Sequence, residues 1–296
     1  MSSQKPIIPV LYGPTASGKS SAALDLAREV NGVILNADAM QCYDALPILT
    51  AQPSSEEQAD IPHKLYGFVP AKQNMVVTDW LAFALREIEF ALCLDKTPIL
   101  VGGTGFYIQA LIEGLSPIPD IDESYRKEAL SLYEEEGLEK LLIDLDTYNA
   151  DHAARIDRNN PQRVIRAWEV LHATGQSLQE WQSLPKVPPA PHLAFDLRPV
   201  TRKRDELIGR INTRFDLMMV AGVLEEIQAL GERVDKGEVP EDALILKAHG
   251  FRPLRAYLKG ELSRVEAIEQ SKAETRQYAK RQMTWMRHQF NIDIPS

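Results

Sequence analysis

Short apolar runs ending at glycine dominate the first hundred residues, and helical spacings dominate the rest. Ile7 to Tyr12 is apolar throughout and breaks at Gly13, as a strand buried on both faces does. Pro9 within it has no N–H to give, which predicts a sheet edge or a locally unpaired position. A helix is expected from near Gly18 to about Val30, closed by Asn31 and Gly32, followed by a second strand at Val33 to Leu35. Thr78 is a candidate N-cap for a helix whose apolar face carries Leu81, Ala84, Leu85, Ile88, Ala91 and Leu92. Pro98 to Val101 reads as a third strand, turned by Gly102-Gly103-Thr104-Gly105 into a helix from Phe106 to Glu113. Strand and helix in alternation, with glycines at the turns, predict an α/β fold with a parallel sheet and crossover helices.

The texture changes after Pro117 and Pro119. From Asp120 to Leu184 only helical patterns occur: Asp120 to Glu136, Leu138 to Asp146, Asp151 to Arg155 and Pro161 to Ala173, with Gly175 ending the last and Ser177 capping another short helix. The proline-rich run Leu184 to Pro191 reads as a linker, a strand follows at His192 to Leu197, and helices fill the remainder to Phe290. The parse is an α/β core of residues 1–119 and 192–296, interrupted by an all-helical insertion at 120–191.

At 296 residues, with 44% hydrophobic and 25% charged positions, the chain has enough apolar content for a real core. The formal net charge of -9 argues only weakly against nucleic acid, because binding depends on local patches. Cys42 and Cys93 are too few for a disulfide framework; both are expected as small buried hydrophobes in a reducing compartment. The N-terminus lacks a signal-peptide plan, and no apolar stretch reaches the roughly 20 residues that cross a bilayer, so a cytoplasmic location away from membranes is expected. The six histidines have no metal-ligand spacing.

Gly13-Pro14-Thr15-Ala16-Ser17-Gly18-Lys19-Ser20 fits G-x-x-x-x-G-K-[ST] between a strand and a helix. Its glycines let backbone N–H groups converge on one anion at a helix N-terminus; Lys19 adds a mobile charge, and the Ser20 hydroxyl is placed to ligate Mg²⁺. The sheet is therefore expected to be P-loop NTPase-like, with flanking helices. Asp38, just past the second strand, projects into the crevice where such sheets bind ligands, and could ligate Mg²⁺, cap a helix or act as a general base. Thr104 sits at the same edge. Two basic clusters counter the acidic total: Arg198, Arg202, Lys203, Arg204, Arg210 and Arg214, and a helical stripe of Lys272, Arg276 and Lys280 with Arg281 and Arg287 nearby. Trp168, Trp181 and Trp285 are placed either to stack on bases or to fill the core.

Read in order, these motifs resemble the tRNA dimethylallyltransferases, also called tRNA isopentenyltransferases. The resemblance rests on residues 13–20, on Asn36-Ala37-Asp38-Ala39-Met40-Gln41-Cys42-Tyr43, on Val101 to Tyr107, on Gln162 to Ala167 and on Thr275 to Trp285. It implies transfer of a dimethylallyl group from dimethylallyl diphosphate to N6 of the adenosine 3′ to the anticodon. Under it, the phosphate loop holds the leaving diphosphate, with Mg²⁺ on Ser20 and Arg214 as the further catalytic cation. Asp38 accepts the amine proton and Thr104 orients Asp38 and the adenine. The implied tRNA contacts are Asp38, Ala39, Met40, Gln41, Thr104, Arg126, Gln162, Arg163, Val164, Ile165, Arg166, Lys247, Gly250, Arg252, Lys272, Arg276 and Lys280. The insertion is implied to touch the anticodon stem-loop; a monomer is expected, although nothing in the sequence fixes the oligomeric state. A channel open to two substrates from opposite mouths is implied as well.

Ala39 stands where the family pattern has serine, Cys42 where it has valine, Leu49 to Pro53 where it has Gly-Thr-Ala-Lys-Pro, and His249-Gly250-Phe251 where it has Ile-Gly-Tyr. Two other readings fit parts of the pattern. A small-molecule kinase suits the loop and sheet but leaves the C-terminal basic helix idle. A non-catalytic RNA-binding module suits the basic clusters but leaves Asp38 and the loop idle.

Overall fold

In the computed structural model, which describes residues 5–290, five strands pair in parallel. They are β1 (Ile7–Tyr12), β2 (Gly32–Asn36), β3 (His63–Lys64), β4 (Thr97–Gly102) and β5 (Ala194–Pro199), in the order β3-β2-β4-β1-β5. The extreme ends of the expected core, 1–4 and 291–296, lie outside the described residues. Side chains alternate between two apolar layers, as a period of two requires. Ile8, Val10, Val33, Leu35 and Leu100 enter one layer, whereas Leu11, Ile34, Ile99 and Val101 enter the other. Both faces are covered, so the strands read as unbroken apolar runs.

Pro9 is not on an edge strand: β1 lies between β4 and β5. Its missing donor is tolerated because β1 pairs with β4 only from Val10 onward.

Around the sheet run α1 (Lys19–Glu29), α2 (Ser55–Asp60), α3 (Val77–Cys93) and α4 (Gly105–Glu113). Thr78 does not cap α3. The N-cap is Val76, with no side-chain hydrogen bond, and Thr78 lies inside the first turn. What fixes α3 is Trp80, which is fully buried, stacks on Tyr107 at 4.5 Å and donates through Nε1 to the Asn36 carbonyl at 3.0 Å. Cys42 is buried as expected, but Cys93, in the last turn of α3, is exposed.

The chain divides into two compact units, one running to Ile112 and resuming at Ala190, the other Glu113–Pro189. The second consists of α5 (Glu123–Glu136), α6 (Leu138–Ala153), α7 (Pro161–Thr174) and α8 (Leu178–Ser183). The backbone leaves helical geometry at Asn149 (φ -161°, ψ 101°), so α6 is broken there into two helical segments, as the spacing separates them. Its own core contains Leu141, Leu142, Leu145, Val164, Ile165, Trp168 and Leu171. Trp168 is a core residue and no base platform: it is 2% exposed, stacks on His172 and donates to Asp144 Oδ2 at 3.0 Å.

The first unit is completed by α9 (Arg204–Val220), α10 (Val223–Asp235), α11 (Phe251–Leu258) and α12 (Arg264–Phe290). No helix among the described residues is long and apolar enough to cross a membrane.

Candidate active site

The carboxyl ends of β1, β2 and β4 deliver Gly13, Asp38 and Thr104 to one edge of the sheet. Gly102 permits this convergence, since a Cβ there would strike the backbone of Ala37. In the phosphate loop Ala16 and Gly18 adopt positive φ, 62° and 103°, a backbone alternation that forms an anion-binding concavity at the start of α1.

The loop is braced from outside. Arg202 Nε donates to the Ser17 carbonyl at 3.1 Å, Arg210 Nε to the Ala16 carbonyl at 2.8 Å, and Arg214 Nη2 to Thr15 Oγ1. Half of the first basic cluster, Arg202, Arg210 and Arg214, thus serves the phosphate loop, with Arg210 and Arg214 one turn apart on α9. Gln282 of α12 adds a buried clamp that the sequence did not announce: its Oε1 accepts from Thr15 N–H and its Nε2 donates to the Gly103 carbonyl, both at 2.9 Å. A glutamine inside a basic helical signature carries no periodic signal; only the folded register reveals it. Lys19 Nζ donates to the Gly13 and Pro14 carbonyls at 2.9 and 2.7 Å.

Asp38 is held through its backbone. Its N–H donates to Asn36 Oδ1 at 2.8 Å, while its Oδ1 accepts from Met40 N–H at 3.1 Å. Asn36 is fully buried and also donates to the Asp38 and Leu65 carbonyls, both at 2.9 Å. Burial raises the Asp38 pKa, opposed in part by the nearby charges of Lys19 and Arg214 and by the backbone donors of Met40 and Gln41. Burial likewise pushes Lys19 down to about 8, with Arg214 adding to the depression and Asp38 opposing it.

Three cavities follow. The first, about 730 Å³, is lined by residues 15–21 of the loop and helix start, Asp38, Gln41, Arg210 and Arg214. A narrow chamber of about 70 Å³ shares Thr15, Asp38, Thr50 and Arg214 with it, and its remaining wall is largely apolar: Met40, Leu49, Ile211, Phe215 and Met218. A third, about 350 Å³, shares Ala248 and His249 with the chamber and is rimmed by Lys247, Arg252 and Arg281. Asp38 and Arg214 thus stand where an anion site meets an apolar chamber, and a basic mouth lies beyond the chamber.

Several expected site residues do other work. Thr104 Oγ1 accepts from Ala39 N–H at 2.9 Å and meets the Tyr278 hydroxyl, so it steadies Asp38 through the neighbouring backbone instead of lining the two inner cavities. Gln41 spends its amide on the Thr50 and Ala51 carbonyls, both at 2.8 Å. Val164 and Ile165 are 0% and 4% exposed in the helical unit's core, on the buried face of amphipathic α7, and offer no side chain to a ligand. Gln162 and Arg163 on its other face are exposed. Arg126 and Arg166 both pair with the buried Glu169, at 3.6 and 2.7 Å. Gly250 is a turn residue with φ 98° whose N–H donates to Glu274. The stripe on α12 is not a uniform solvated face: Lys272 is 9% exposed and pairs with Asp216 at 2.7 Å, Arg276 donates to Asn212, and only Lys280 is fully open.

An anion loop joined to an apolar chamber through a buried carboxylate and an arginine is the arrangement of a transferase that handles an apolar group on a phosphate. The family model described as IPP transferase matches residues 41–289, and the one described as isopentenyl transferase matches 6–65; the chain belongs to the IPP transferase family. It is 45% identical over 285 residues to a tRNA dimethylallyltransferase of Azorhizobium caulinodans, covering 96% of this chain and 90% of the relative. Identity is 43% to the tRNA dimethylallyltransferase of Rhodospirillum centenum, over 98% of this chain and 90% of that one. Among solved structures, the full-length tRNA isopentenylpyrophosphate transferase of Bacillus halodurans superposes with a TM-score of 0.68 at 32% identity, covering 98% of this chain and 89% of that one. A eukaryotic dimethylallyltransferase acting on tRNA gives a TM-score of 0.80 at 27% identity, covering 98% and 73%.

Proposed function

We propose that this enzyme transfers a dimethylallyl group from dimethylallyl diphosphate to N6 of the adenosine 3′ to the anticodon of tRNA, releasing diphosphate. The observation that carries the reading is the position of Asp38 and Arg214 in the lining of both the anion cavity and the apolar chamber. The diphosphate sits against residues 13–20, and the five-carbon group enters the chamber. The allylic C–O bond breaks as N6 attacks the same carbon. Lys19 and Arg214 neutralise the charge gathering on the leaving oxygens. Asp38 takes the amine proton, a role its raised pKa favours. Thr104 keeps Asp38 in register through Ala39. The kinase reading is not favoured, since the chain's relatives are dimethylallyl and isopentenyl transferases and an apolar chamber adjoins the loop.

Mg²⁺ fits the donor set. The Ser20 hydroxyl is exposed on the anion cavity, and this ion is commonly held by one or two protein oxygens together with substrate phosphates and water. When bound, it supplies further neutralisation of the departing diphosphate.

The test is incubation with labelled dimethylallyl diphosphate, ATP and unmodified tRNA. Label on adenosine N6 is the expected result; phosphoryl transfer without prenylation would sink the reading.

Cationic Lys19 is the form that binds diphosphate, so donor affinity is full below about pH 8 and is lost as pH rises through that value. The donor KM is expected to be flat at neutral pH and to climb in alkali, by up to about tenfold per pH unit. Lys19→Met should have a higher, pH-independent donor KM; a sloping profile in that variant would assign the titration elsewhere.

For RNA, the exposed cations Lys247, Arg252 and Lys280 are the natural phosphate contacts of this unit. We assign Arg126, Gln162, Arg163 and Arg166 of the helical unit to the anticodon stem-loop on the family resemblance. Replacing Lys247, Arg252 and Lys280 together with alanine should flatten the log–log salt dependence of RNA binding by about 2 to 3 units. Lys272→Ala should leave that slope alone and lower the melting temperature by a few degrees, on the order of 1 kcal/mol, because Asp216 can return to water. Fluorescence anisotropy and thermal melts separate the two effects.

A further inference from the structure

His249 lines both the apolar chamber and the basic mouth. Its ring lies 4.7 Å from that of Tyr278, tilted by 45°, and Tyr278 is itself anchored by Thr104 and Gln282. The imidazole is therefore held on one side by a fixed wall. Neither ring nitrogen has a hydrogen-bond partner among the described residues, nor is either among the buried polar atoms left without one. A half-buried ring with unspent hydrogen-bonding capacity is costly as mere filler, and an aliphatic side chain would suit the chamber wall better. Burial, with Arg281 nearby, pushes its pKa down to about 4, so at neutral pH it offers one N–H donor and one lone-pair acceptor.

What it meets follows from the order of the cavities. The dimethylallyl group has no hydrogen-bonding atom. The diphosphate belongs to the loop, on the opposite side of Asp38 from His249 in the sequence of cavities, and His249 does not line the anion cavity. The mouth it does line carries Lys247, Arg252 and Arg281, the charge expected of a polyanion's entry. The ligand with polar edges that reaches His249 is the nucleoside on its way from the mouth to Asp38.

We propose that His249 is a specificity-determining contact for the accepting nucleoside, hydrogen-bonding to its base or ribose at the junction of mouth and chamber. It rests on the transferase reading above and gives a role to the histidine that stands where the family pattern has isoleucine.

The test is steady-state prenyl transfer to an anticodon stem-loop RNA by the wild type, His249→Ile and His249→Gln. His249→Ile keeps the bulk and removes both nitrogens. It is expected to raise the RNA KM about tenfold, the worth of one lost hydrogen bond, while the donor KM stays within twofold. His249→Gln, which restores a donor and an acceptor, should recover most of the loss. Stem-loops carrying 1-deaza-, 7-deaza- or 2′-deoxyadenosine at the target should show one analogue that weakens the wild type and leaves His249→Ile unaffected. An RNA KM for His249→Ile within twofold of wild type overturns the proposal. So does a parallel rise in both KM values, or an analogue penalty shared equally by the two proteins. A wild type that transfers no prenyl group to RNA removes the transferase reading itself, a separate and recognisable outcome.

Discussion

Asp38→Asn lowers kcat by about 10³-fold and leaves RNA affinity within a factor of two; this is the expected result if, as proposed, Asp38 is the base at the point where the cavities meet. The substitution keeps the shape and the oxygen that accepts from Met40 N–H, so the local turn survives. What disappears is the capacity to accept a proton. The same change is expected to leave the melting temperature unchanged or raised near neutral pH. The folded pKa of Asp38 lies above its ordinary value, so its ionised form opposes folding at higher pH, and the opposition fades as pH falls through the folded pKa. A kcat measured across pH should fall on the acid side in the wild type, as Asp38 protonates, and lack that limb in the variant. If RNA binding collapsed with kcat, Asp38 would be a positioning group and the proton would go elsewhere.

The reasons some of this was legible in the sequence and some was not are physical. A phosphate loop needs its glycines and its lysine contiguous, because one backbone segment must curl around one anion, so residues 13–20 announced themselves. Strands buried on both faces are apolar without alternation, which is why β1, β2 and β4 were found within a residue or so. β3 was missed because two residues cannot show a period. Helix spacing located α7 but could not say which basic residues on helices face outward. On α12, the four-residue step from Lys272 to Lys280 looks uniform. Yet helix α9 packs against it and supplies Asp216 and Asn212, which take up Lys272 and Arg276. Gln282, Asn36 and Tyr278 are polar residues whose value lies in partners far away in sequence: Gln282 bonds a backbone 267 positions distant. His249 was visible only as an oddity, a polar residue in an aliphatic position, until the cavities on both sides of it gave the oddity a place.

Arg214 carries the other large effect. It faces both inner cavities and spends one nitrogen on Thr15. On the proposed reading, the rest of its fork follows the leaving diphosphate. Arg214→Ala is expected to lower kcat/KM for the donor by about 10³-fold, in line with losing one pre-set donor to developing charge together with a brace of the loop. Arg214→Lys should regain only part of this, because a point charge cannot hold Thr15 and meet the diphosphate with a planar fork at once. The RNA KM should stay near that of the wild type. A second signature separates loss of this charge from general damage. Arg214 depresses the Lys19 pKa and also lowers that of Asp38. Without it both groups should titrate at higher pH: the acid limb of kcat and the alkaline rise in donor KM should each move upward, and in the same direction. Pure misfolding of the loop would cut the rate and leave neither limb displaced. A variant that loses activity with both limbs unmoved would therefore take Arg214 out of the charge network around Asp38 and leave it only as a brace for Thr15.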